Sequence, residues 1–197
     1  MSDFTFVQKY GKEIIEFTTD FAELRITVFR EFPYLYEGNF EYEKKYIQTY
    51  TNASEAMLFA VYDNGKMIGA TTCLPLKDEI EEIRKPFLQN KININNVFYF
   101  GESLLLKEYR GQGLGHRFFD EREKHAKSFQ KYSICAFCAV EREKDHSLKP
   151  KDYQPHDVFW TKRGYVLNKE LNCQMSWLDI EQPAPTVKNL LFWTKNI

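Results

Sequence analysis

The stretch from residue 97 to residue 129 constrains the fold more than any other part of the chain. It opens with an apolar run, residues 97–106, which predicts a buried strand. A glycine-rich segment follows at 110–115, and the amphipathic pattern after it predicts a helix. A helix start carries N–H groups without internal partners and a partial positive charge, and glycines let an anion approach the backbone. The stretch therefore predicts a phosphate-binding strand–loop–helix unit, with a plain packing turn as the alternative.

The spacing of the glycines narrows the kind of phosphate site. A Walker loop needs Gly-Lys-Ser/Thr, which is absent here, and the dinucleotide fingerprint needs its third glycine one residue later. The pattern Arg110-x-x-Gly113-x-Gly115, preceded by a tyrosine and a strand, resembles the coenzyme A pyrophosphate loop of the GNAT superfamily of N-acetyltransferases. Residues 159–165, Phe-Trp-Thr-Lys-Arg-Gly-Tyr, are similar to the second motif of that family, Leu-Tyr-x-Lys-x-Gly-Phe.

Composition limits the class of protein and the kinds of binding partner that this chain can have. A chain of 197 residues with 43% hydrophobic residues suits a single domain, residues 1–197, with a sizeable core. A net charge of −1 argues against a basic nucleic-acid-binding surface. No stretch is apolar over the length of a membrane span, and the N-terminus lacks a signal-peptide pattern. We therefore expect a cytoplasmic protein with neither nucleic acid nor membrane as a partner.

The cysteines invite a metal or redox interpretation that their spacing disfavours. Cys135 and Cys138 are three residues apart in an apolar run that predicts a strand, so their side chains should face opposite sides of the sheet. The four histidines show no metal-ligand spacing either. We expect ordinary buried thiols, a reducing compartment and no metal.

The remaining patterns predict alternating helices and strands. Strands are expected near 4–10, 57–62, 67–74, 132–140, 170–178 and 187–194, and helices near 20–32, 39–50, within 77–96 and at 156–163. Thr19 or Asp20 is the expected cap of the first helix and Asn39 that of the second, and Asn64-Gly65 predicts a tight hairpin. Residues 141–155 predict a long loop, either functional or a solvated insertion. This order resembles the GNAT fold, an α/β (α+β) architecture with a mixed, mostly antiparallel central sheet flanked by helices.

The resemblance implies an acetyl-CoA-dependent N-acetyltransferase that transfers the acetyl group directly to a primary amine in a ternary complex. Coenzyme A would be held by the backbone near Leu104, Leu105 and Leu106, and its pyrophosphate by Arg110, Gly111, Gln112, Gly113, Leu114, Gly115 and His116. Neither Ser103 nor Ser133 lies in a nucleophile-elbow pattern, which favours direct transfer over a covalent intermediate.

Glu102 is the candidate general base. Strand alternation predicts that it shares a face with four apolar residues, Phe98, Phe100, Leu104 and Leu106, so we expect desolvation to raise the pKa of its carboxyl group. A strand bulge would change which side chains share that face. In the family a glutamate on this strand often serves as base. Trp160 stands where many members carry a tyrosine that protonates the leaving thiolate, which leaves Tyr153, His146 or solvent for that role.

The resemblance places the amine acceptor beside the first two helices and the loop between them. Phe32, Tyr34 and Tyr36 would border it, together with Tyr153 from the 141–155 loop, and their rings favour a small acceptor with an apolar or cationic portion. The stripe of tyrosines at 42, 46 and 50 is interpreted as a packed face. Two alternatives stay open: a non-catalytic acyl-CoA binder, and an enzyme that acetylates protein lysines or N-termini. Family habit also implies pairing of the final strands in a homodimer.

Overall fold

A seven-stranded sheet forms the centre of the molecule in a computed structural model that describes residues 4–197. Its strands are β1 (Thr5–Tyr10), β2 (Met57–Asp63), β3 (Lys66–Pro75), β4 (Val97–Leu105), β5 (Ile134–Val140), β6 (Val166–Trp177) and β7 (Thr186–Asn196). They lie in the order β1-β2-β3-β4-β5-β7-β6, and of the strand pairs only β4 and β5 run parallel. The expected mixed, mostly antiparallel α+β architecture is confirmed.

Six α-helices flank this sheet in the described part of the chain: α1 (Thr18–Phe29), α2 (Phe40–Tyr46), α3 (Gln48–Asn52), α4 (Glu81–Gln89), α5 (Leu114–Ser128) and α6 (Asp157–Lys162). On one face, Phe119 of α5 packs against Phe100 of β4. On the other face, Arg25 of α1 contacts Glu102 of the same strand. Strand β4 therefore lies at the centre of the molecule, covered on both sides. Within residues 4–197, no helix has the length and apolar character needed to cross a bilayer.

Local sequence signals explain several element ends. Asn64 and Gly65 adopt φ angles of 50° and 79°, as a tight primed hairpin turn requires, and the hairpin is confirmed. Asn39 caps α2 by accepting a hydrogen bond from the Tyr42 N–H at 2.9 Å, also as predicted. Gly164, with φ of 86°, follows α6 as the expected helix stop. Residues 141–155 form an irregular loop, as predicted.

The first helix differs from its prediction at both ends. A 3₁₀ turn, Gly11–Phe17, runs directly into α1, and Phe17 takes the cap position without a side-chain hydrogen bond. Thr19 and Asp20 therefore lie inside the first turn of the helix, and neither is its cap. The helix ends at Phe29 and not near residue 32 as predicted, so Phe32 belongs to the following loop. The predicted 39–50 helix is likewise divided into α2 and α3.

Strand β4 carries an irregularity at Glu102. Thr71 pairs with Ser103 while Cys73 pairs with Phe100, so β4 has one residue more than β3 between these two pairs. The extra residue is a bulge, and it reverses the side on which the following side chains lie. Glu102 therefore points to the α1 side, opposite to Phe100. The prediction that Glu102 shares an apolar face with Phe98 and Phe100 is wrong for this reason.

The parallel contact between β4 and β5 is short. It comprises the three residue pairs Val97–Ile134, Phe98–Cys135 and Tyr99–Ala136. Beyond Tyr99, β4 continues on β3 and β5 continues on β7, and no further ladder joins the two strands in the described part of the chain. A gap therefore opens between the C-terminal halves of β4 and β5.

Candidate active site

A cavity of about 600 Å³ lies on the α1 side of the sheet, beside the bulge in β4. Its floor contains Arg25, Glu43 and Glu102, and its walls are largely aromatic. The aromatic lining residues are Phe29, Tyr34, Tyr36, Tyr42, Tyr46, Tyr99 and Trp177. A cavity of this volume, apolar with a few convergent charged groups, is typical of a small-molecule site.

The floor of the cavity is a buried charge network. The guanidinium of Arg25 donates through Nε to Glu43 and through Nη1 to Glu102. The second oxygen of Glu102 accepts from the Tyr50 hydroxyl at 2.6 Å and from the Thr72 hydroxyl. Burial alone would lower the pKa of Arg25, but the carboxylates of Glu102 and Glu43 outweigh it and raise that pKa well above its ordinary value. Arg25 therefore holds a permanent positive charge between two carboxylates.

Charge around the cavity remains negative on balance. Its lining includes the carboxylates of Glu37, Glu43 and Glu102 and one guanidinium, that of Arg25. Glu43 is fully buried, and its Oε1 has no hydrogen-bond partner among residues 4–197. Arg25 itself stacks on the rings of Tyr46 and Phe29, at 4.2 and 4.9 Å from their centroids. The charged side chains that line the cavity in the described part of the chain therefore carry a net negative charge.

Sequence reasoning missed Arg25, Glu43 and Tyr50, although two signals pointed to them. Arg25 lies on the same predicted helix face as the apolar Phe21 and Leu24, which is an unusual place for a charge. A glycine inside a strand indicates a bulge or a close approach. Gly101 meets both conditions, because a Cβ there would overlap the Tyr50 hydroxyl and come within 2.8 Å of the Thr72 hydroxyl.

The structure brings Tyr34 and Tyr36 to the cavity that contains Glu102, but it places Phe32 and Tyr153 elsewhere. The rings of Phe32 and Tyr153 pack edge to face with centroids 4.7 Å apart, and neither residue is among the described residues that line the cavity. The packed-face interpretation of the tyrosine stripe holds for Tyr50, which is fully buried. Its neighbours Tyr42 and Tyr46 line the cavity.

Hydrogen bonds to two other segments fix the position of the loop that carries Tyr34 and Tyr36. Glu37 N–H donates to Leu178 O at 2.8 Å, and Ile180 N–H donates to Leu35 O at 2.7 Å, so the loop pairs with the segment after β6. The guanidinium of Arg142, at the start of the 141–155 loop, donates to Tyr34 O at 2.6 Å. These bonds close the aromatic wall over the cavity.

Arg142 in turn belongs to an ion cluster centred on Asp179. Its guanidinium contacts both carboxylate oxygens of Asp179, at 2.8 and 2.9 Å, and the buried Lys188 contacts one of them at 3.0 Å. Burial by itself would raise the pKa of Asp179, but the bonds from Arg142 and Lys188 outweigh it and lower that pKa. We call Arg142, Asp179 and Lys188 the loop clamp.

The gap between β4 and β5 exposes peptide groups of β4 that do not pair with β3. The N–H of Leu106 donates to Ile68 O on β3 at 3.0 Å, so the peptide groups of Leu105 face the gap. The carbonyl of Leu105 accepts two bonds from Arg110, at 3.0 and 2.9 Å. Arg110 also pairs with Glu31 at 2.8 Å, which connects the glycine loop to the end of α1.

The glycine loop forms an anion cradle at the start of α5. Gly111 and Gly113 have φ angles of 78° and 84°, which favour glycine, and a Cβ on either would meet nothing within 4 Å. The first helical bond of α5 runs from Arg117 N–H to Gly113 O, so the N–H groups of residues 114–116 lack helical partners. The exposed His116 packs edge to face on Phe159 of α6. The loop, the free N–H groups and the neighbouring gap fit a coenzyme A.

The second motif contributes packing in this structure. Trp160 is half-buried and packs edge to face against Phe137 and Trp193, with centroids 5.1 and 5.2 Å away. The Nδ1 atom of His146 accepts from the Leu148 N–H at 3.2 Å.

Cys138 lines the cavity, whereas Cys135 is buried on the face that α5 covers, and both are free thiols, as expected from their spacing.

Comparison with known proteins agrees with this architecture. No curated protein matches the sequence significantly. Solved structures with the same fold include an acetyltransferase of the GNAT family from Streptococcus pneumoniae (TM-score 0.59, 13% identity, 98% of this chain and 100% of the other). Another is Arabidopsis thaliana NAA60 in complex with a bisubstrate analogue (0.59, 12%, 98% and 99%). A GNAT family acetyltransferase from Elizabethkingia anophelis with acetyl-CoA bound scores 0.54 at 9% identity, with 100% of each chain covered.

Identities this low show the fold alone, and membership of the family is carried by the sequence itself. The family model described as "Acetyltransferase (GNAT) family" matches residues 8–149, which is more than half of the chain. The matched span includes the glycine loop, the bulged strand and most of the cavity floor. The chain therefore belongs to the GNAT family of acetyltransferases.

Proposed function

We propose that this protein is an acetyl-CoA-dependent N-acetyltransferase that acts on the primary amine of a small molecule, in a ternary complex. The observation that carries the proposal is the double role of β4. Tyr99, Gly101 and Glu102 line the cavity, and residues 104–106 border the gap toward β5. One strand therefore brings an amine in the cavity next to a thioester in the gap, which is the positioning that direct transfer needs.

Coenzyme A fits the residues present. The Leu105 N–H, which faces the gap, offers a hydrogen bond to a pantetheine arm, whereas the Leu105 carbonyl is already bonded to Arg110. The N–H groups of residues 114–116 offer hydrogen bonds to a pyrophosphate. When bound, acetyl-CoA supplies the acetyl group as a thioester. The backbone at residues 105 and 114–116 would hold it, and the aromatic wall would shield the cavity from water.

The acceptor follows from the cavity. Its aromatic rings and surplus of carboxylates suit a cation, since ring faces attract positive charge and the carboxylates complement it. The loop with Tyr34 and Tyr36 closes one side of the cavity through its pairing with residues 178–180, which supports a small acceptor over an extended polypeptide. An amine with an apolar or aromatic portion and a terminal ammonium meets both conditions.

Chemistry at this site must remove a proton. An alkyl ammonium has a pKa of about 10.4, so producing the neutral amine at pH 7 costs roughly 4.6 kcal/mol. A positioned proton acceptor typically contributes about 10²–10⁴-fold in rate. The site therefore needs a group that can hold the proton near neutral pH.

The proposal is tested first at the glycine loop, with Gly115→Asp. Gly115 has an ordinary φ, and a Cβ there would meet only the Phe159 ring, at 3.7 Å. A carboxylate at this helix start should repel the pyrophosphate, so we expect the Kd for coenzyme A to rise at least about tenfold, or about 1.4 kcal/mol. Calorimetric titration of acetyl-CoA and coenzyme A measures it.

Gly115→Ala is the matched control, because it adds the Cβ without the charge and should bind like the wild type. Equal affinity in all three proteins would contradict the pyrophosphate site, and no binding to the wild type would contradict the enzymatic proposal. A panel of aryl-alkylamines, diamines and peptides, followed by thiol release, then identifies the acceptor class. Turnover of peptides alone would overturn the small-molecule part.

A further inference from the structure

Glu43 is a carboxylate of the cavity of which only one oxygen is bonded. It lies on α2, lines the cavity and is fully buried. Its Oε2 accepts from the Arg25 guanidinium, whereas its Oε1 has no hydrogen-bond partner among residues 4–197. Taking a carboxylate oxygen out of water without giving it a donor is costly, so a donor supplied by a ligand would stabilise this group.

Neighbouring hydroxyls complete the bonding of Glu102 but not that of Glu43. Glu102 shares the Arg25 guanidinium with Glu43. Its second oxygen accepts from the hydroxyls of Tyr50 and Thr72. One guanidinium charge balances only one of the two carboxylates, so one negative charge of this trio is left over. Because both oxygens of Glu102 are bonded, the missing donor of the network is at Glu43.

The remaining charged groups near the cavity do not supply that donor. Arg25 is the only basic residue among the described residues that line the cavity. Glu37 also lines it, and its carboxylate is bonded to the exposed Arg30 at 2.8 Å. Glu79, which follows the 3₁₀ turn Leu76–Asp78, is buried near Arg25 and is not among the described residues of the lining. The surplus charge is therefore negative and belongs to the cavity floor.

Three tyrosines accompany Glu43 in the lining of the cavity. Tyr42 and Tyr46 lie on the same helix. Burial, and after it the charge of Glu43, raises the pKa of Tyr36, so this phenol keeps its proton beside the carboxylate. Phenol hydroxyls can share a carboxylate but bring no positive charge, whereas the faces of their rings attract cations. The position therefore suits a protonated nitrogen.

The nitrogen that receives the acetyl group cannot be this cation. It must be a neutral amine when it attacks the thioester, and it must lie near the gap that residues 104–106 border. Glu43 bonds the Nε atom of the guanidinium and Glu102 bonds Nη1, so Arg25 lies between the two carboxylates. A cation at Glu43 must therefore be a second nitrogen that keeps its proton, as an alkyl ammonium with a pKa of about 10.4 does at pH 7.

We infer that the acceptor is a diamine or a longer polyamine, and that its second, protonated nitrogen binds Glu43; this inference rests on the proposed function. The neutral nitrogen faces the thioester next to Glu102, and the protonated one donates to Oε1 of Glu43. The same charges reject an acceptor that carries a carboxylate, because two glutamates already share the one guanidinium of the described lining. Glu43 is the residue that determines this specificity.

The experiment measures thiol release from acetyl-CoA by the full chain, with linear diamines of increasing length and with the monoamine that matches each one. For the wild type, kcat/KM should be at least about tenfold higher for the best diamine than for its monoamine. Free lysine is cadaverine with one added carboxylate, so it isolates the effect of that charge. We expect lysine to be acetylated at least about tenfold less efficiently than cadaverine.

Glu43→Gln removes the charge, keeps the shape and leaves an amide oxygen to which Arg25 can donate. The ratio of kcat/KM between the best diamine and its monoamine should fall at least about tenfold, mainly through the KM of the diamine, with the Kd for acetyl-CoA unchanged. Glu43→Asp retains the charge and should retain most of the ratio. Glu41→Gln is the matched control, because Glu41 is exposed on the same helix, and it should leave the ratio unchanged.

Three outcomes overturn the inference while leaving the proposed function intact. The first two need no variant: a wild type that acetylates monoamines as efficiently as diamines, or lysine as efficiently as cadaverine. The third is a Glu43→Gln enzyme that is slower with both kinds of acceptor and keeps their ratio, as a purely structural role would predict. A wild type that binds acetyl-CoA but acetylates no amine would instead overturn the proposed function, and the inference with it.

Discussion

Buried carboxylates surround Arg25, and their different bonding separates their roles. Glu102 and Glu43 are each bonded to the guanidinium, which compensates for their loss of hydration. Glu79 has no such ion pair, so burial outweighs the Ile80 N–H, Arg25 and Arg84 and raises its pKa to about 7. Three glutamates within one small region thus differ through the hydrogen-bond donors that the fold places beside them.

Stability measurements test this difference without substrate. The pKa of Glu79 is raised from 4.5 to about 7 on folding, so between these values the folded protein binds more protons than the unfolded chain. Stability should therefore fall as pH rises through this window, by on the order of 3 kcal/mol in total. Glu79→Gln has no charge to bury, so it should match the wild type near pH 4.5 and be more stable by about that amount at pH 8.

Urea unfolding at several pH values measures this, with Glu81→Gln as the exposed control on the neighbouring helix turn. Parallel stability curves for wild type and Glu79→Gln would contradict the raised pKa.

Strand β4 illustrates how an element combines two tasks. Before the bulge its alternate side chains pack under α5, and after it Glu102 reaches the cavity on the other face. Gly101 allows this, because the Tyr50 hydroxyl occupies the space of a Cβ at that position. The bulge and the glycine act together to bring a polar network into a buried strand.

Gly101→Ala should therefore disrupt both packing and the site. The added methyl group overlaps the Tyr50 hydroxyl, so we expect a loss of about 1–3 kcal/mol from overpacking and a displaced Glu102. Tyr50→Phe removes the hydroxyl, and the double variant should recover part of the stability lost in Gly101→Ala. Thermal unfolding of the two single variants and the double variant measures this coupling, and strictly additive effects would contradict it.

The sequence predicted what depends on local signals. The Asn64-Gly65 hairpin, the Asn39 cap and the glycine loop each rest on a few adjacent residues, and the structure confirms each as local structure. It could not predict the meeting of Arg25 with Glu102, which are 77 residues apart, because that pair depends on how α1 packs on the sheet. The prediction of a helix near residues 20–32 also placed Phe32 wrongly, because α1 ends at Phe29, four residues before Pro33.

Over the whole molecule, the loop clamp connects three distant segments. Arg142 begins the 141–155 loop, Asp179 follows β6 and Lys188 lies on β7, and together they hold the backbone that carries Tyr34. Within residues 4–197, none of the three clamp side chains is hydrogen-bonded to residues 110–116, at the start of α5. The clamp therefore governs the acceptor side of the site and should leave coenzyme A binding untouched.

Asp179→Asn tests the clamp. Removing the charge leaves Arg142 and the buried Lys188 facing a neutral group, at a cost of about 3 kcal/mol near pH 7. Because the folded pKa of Asp179 is lowered, its contribution is present above the unfolded value of about 3.9 and is lost as pH falls through the folded value. The two stability curves should therefore converge below about pH 4.

The acceptor KM should also rise in Asp179→Asn, while the Kd for coenzyme A stays constant. The exposed Glu170 on β6 supplies the control variant, Glu170→Gln. A stability difference that persists unchanged into acid, or a weakened affinity for coenzyme A, would show that Asp179 acts in another way.

The short contact between β4 and β5 divides the sheet into two parts. Strands β1 to β4 form one part and β5, β7 and β6 form the other, and three residue pairs join them. The cavity is lined by Tyr99 and Glu102 of the first part and by Cys138 and Leu190 of the second. A small rotation of one part relative to the other would therefore change the width of the gap and the shape of the cavity together. The geometry of the coenzyme side is in this way coupled to that of the acceptor side.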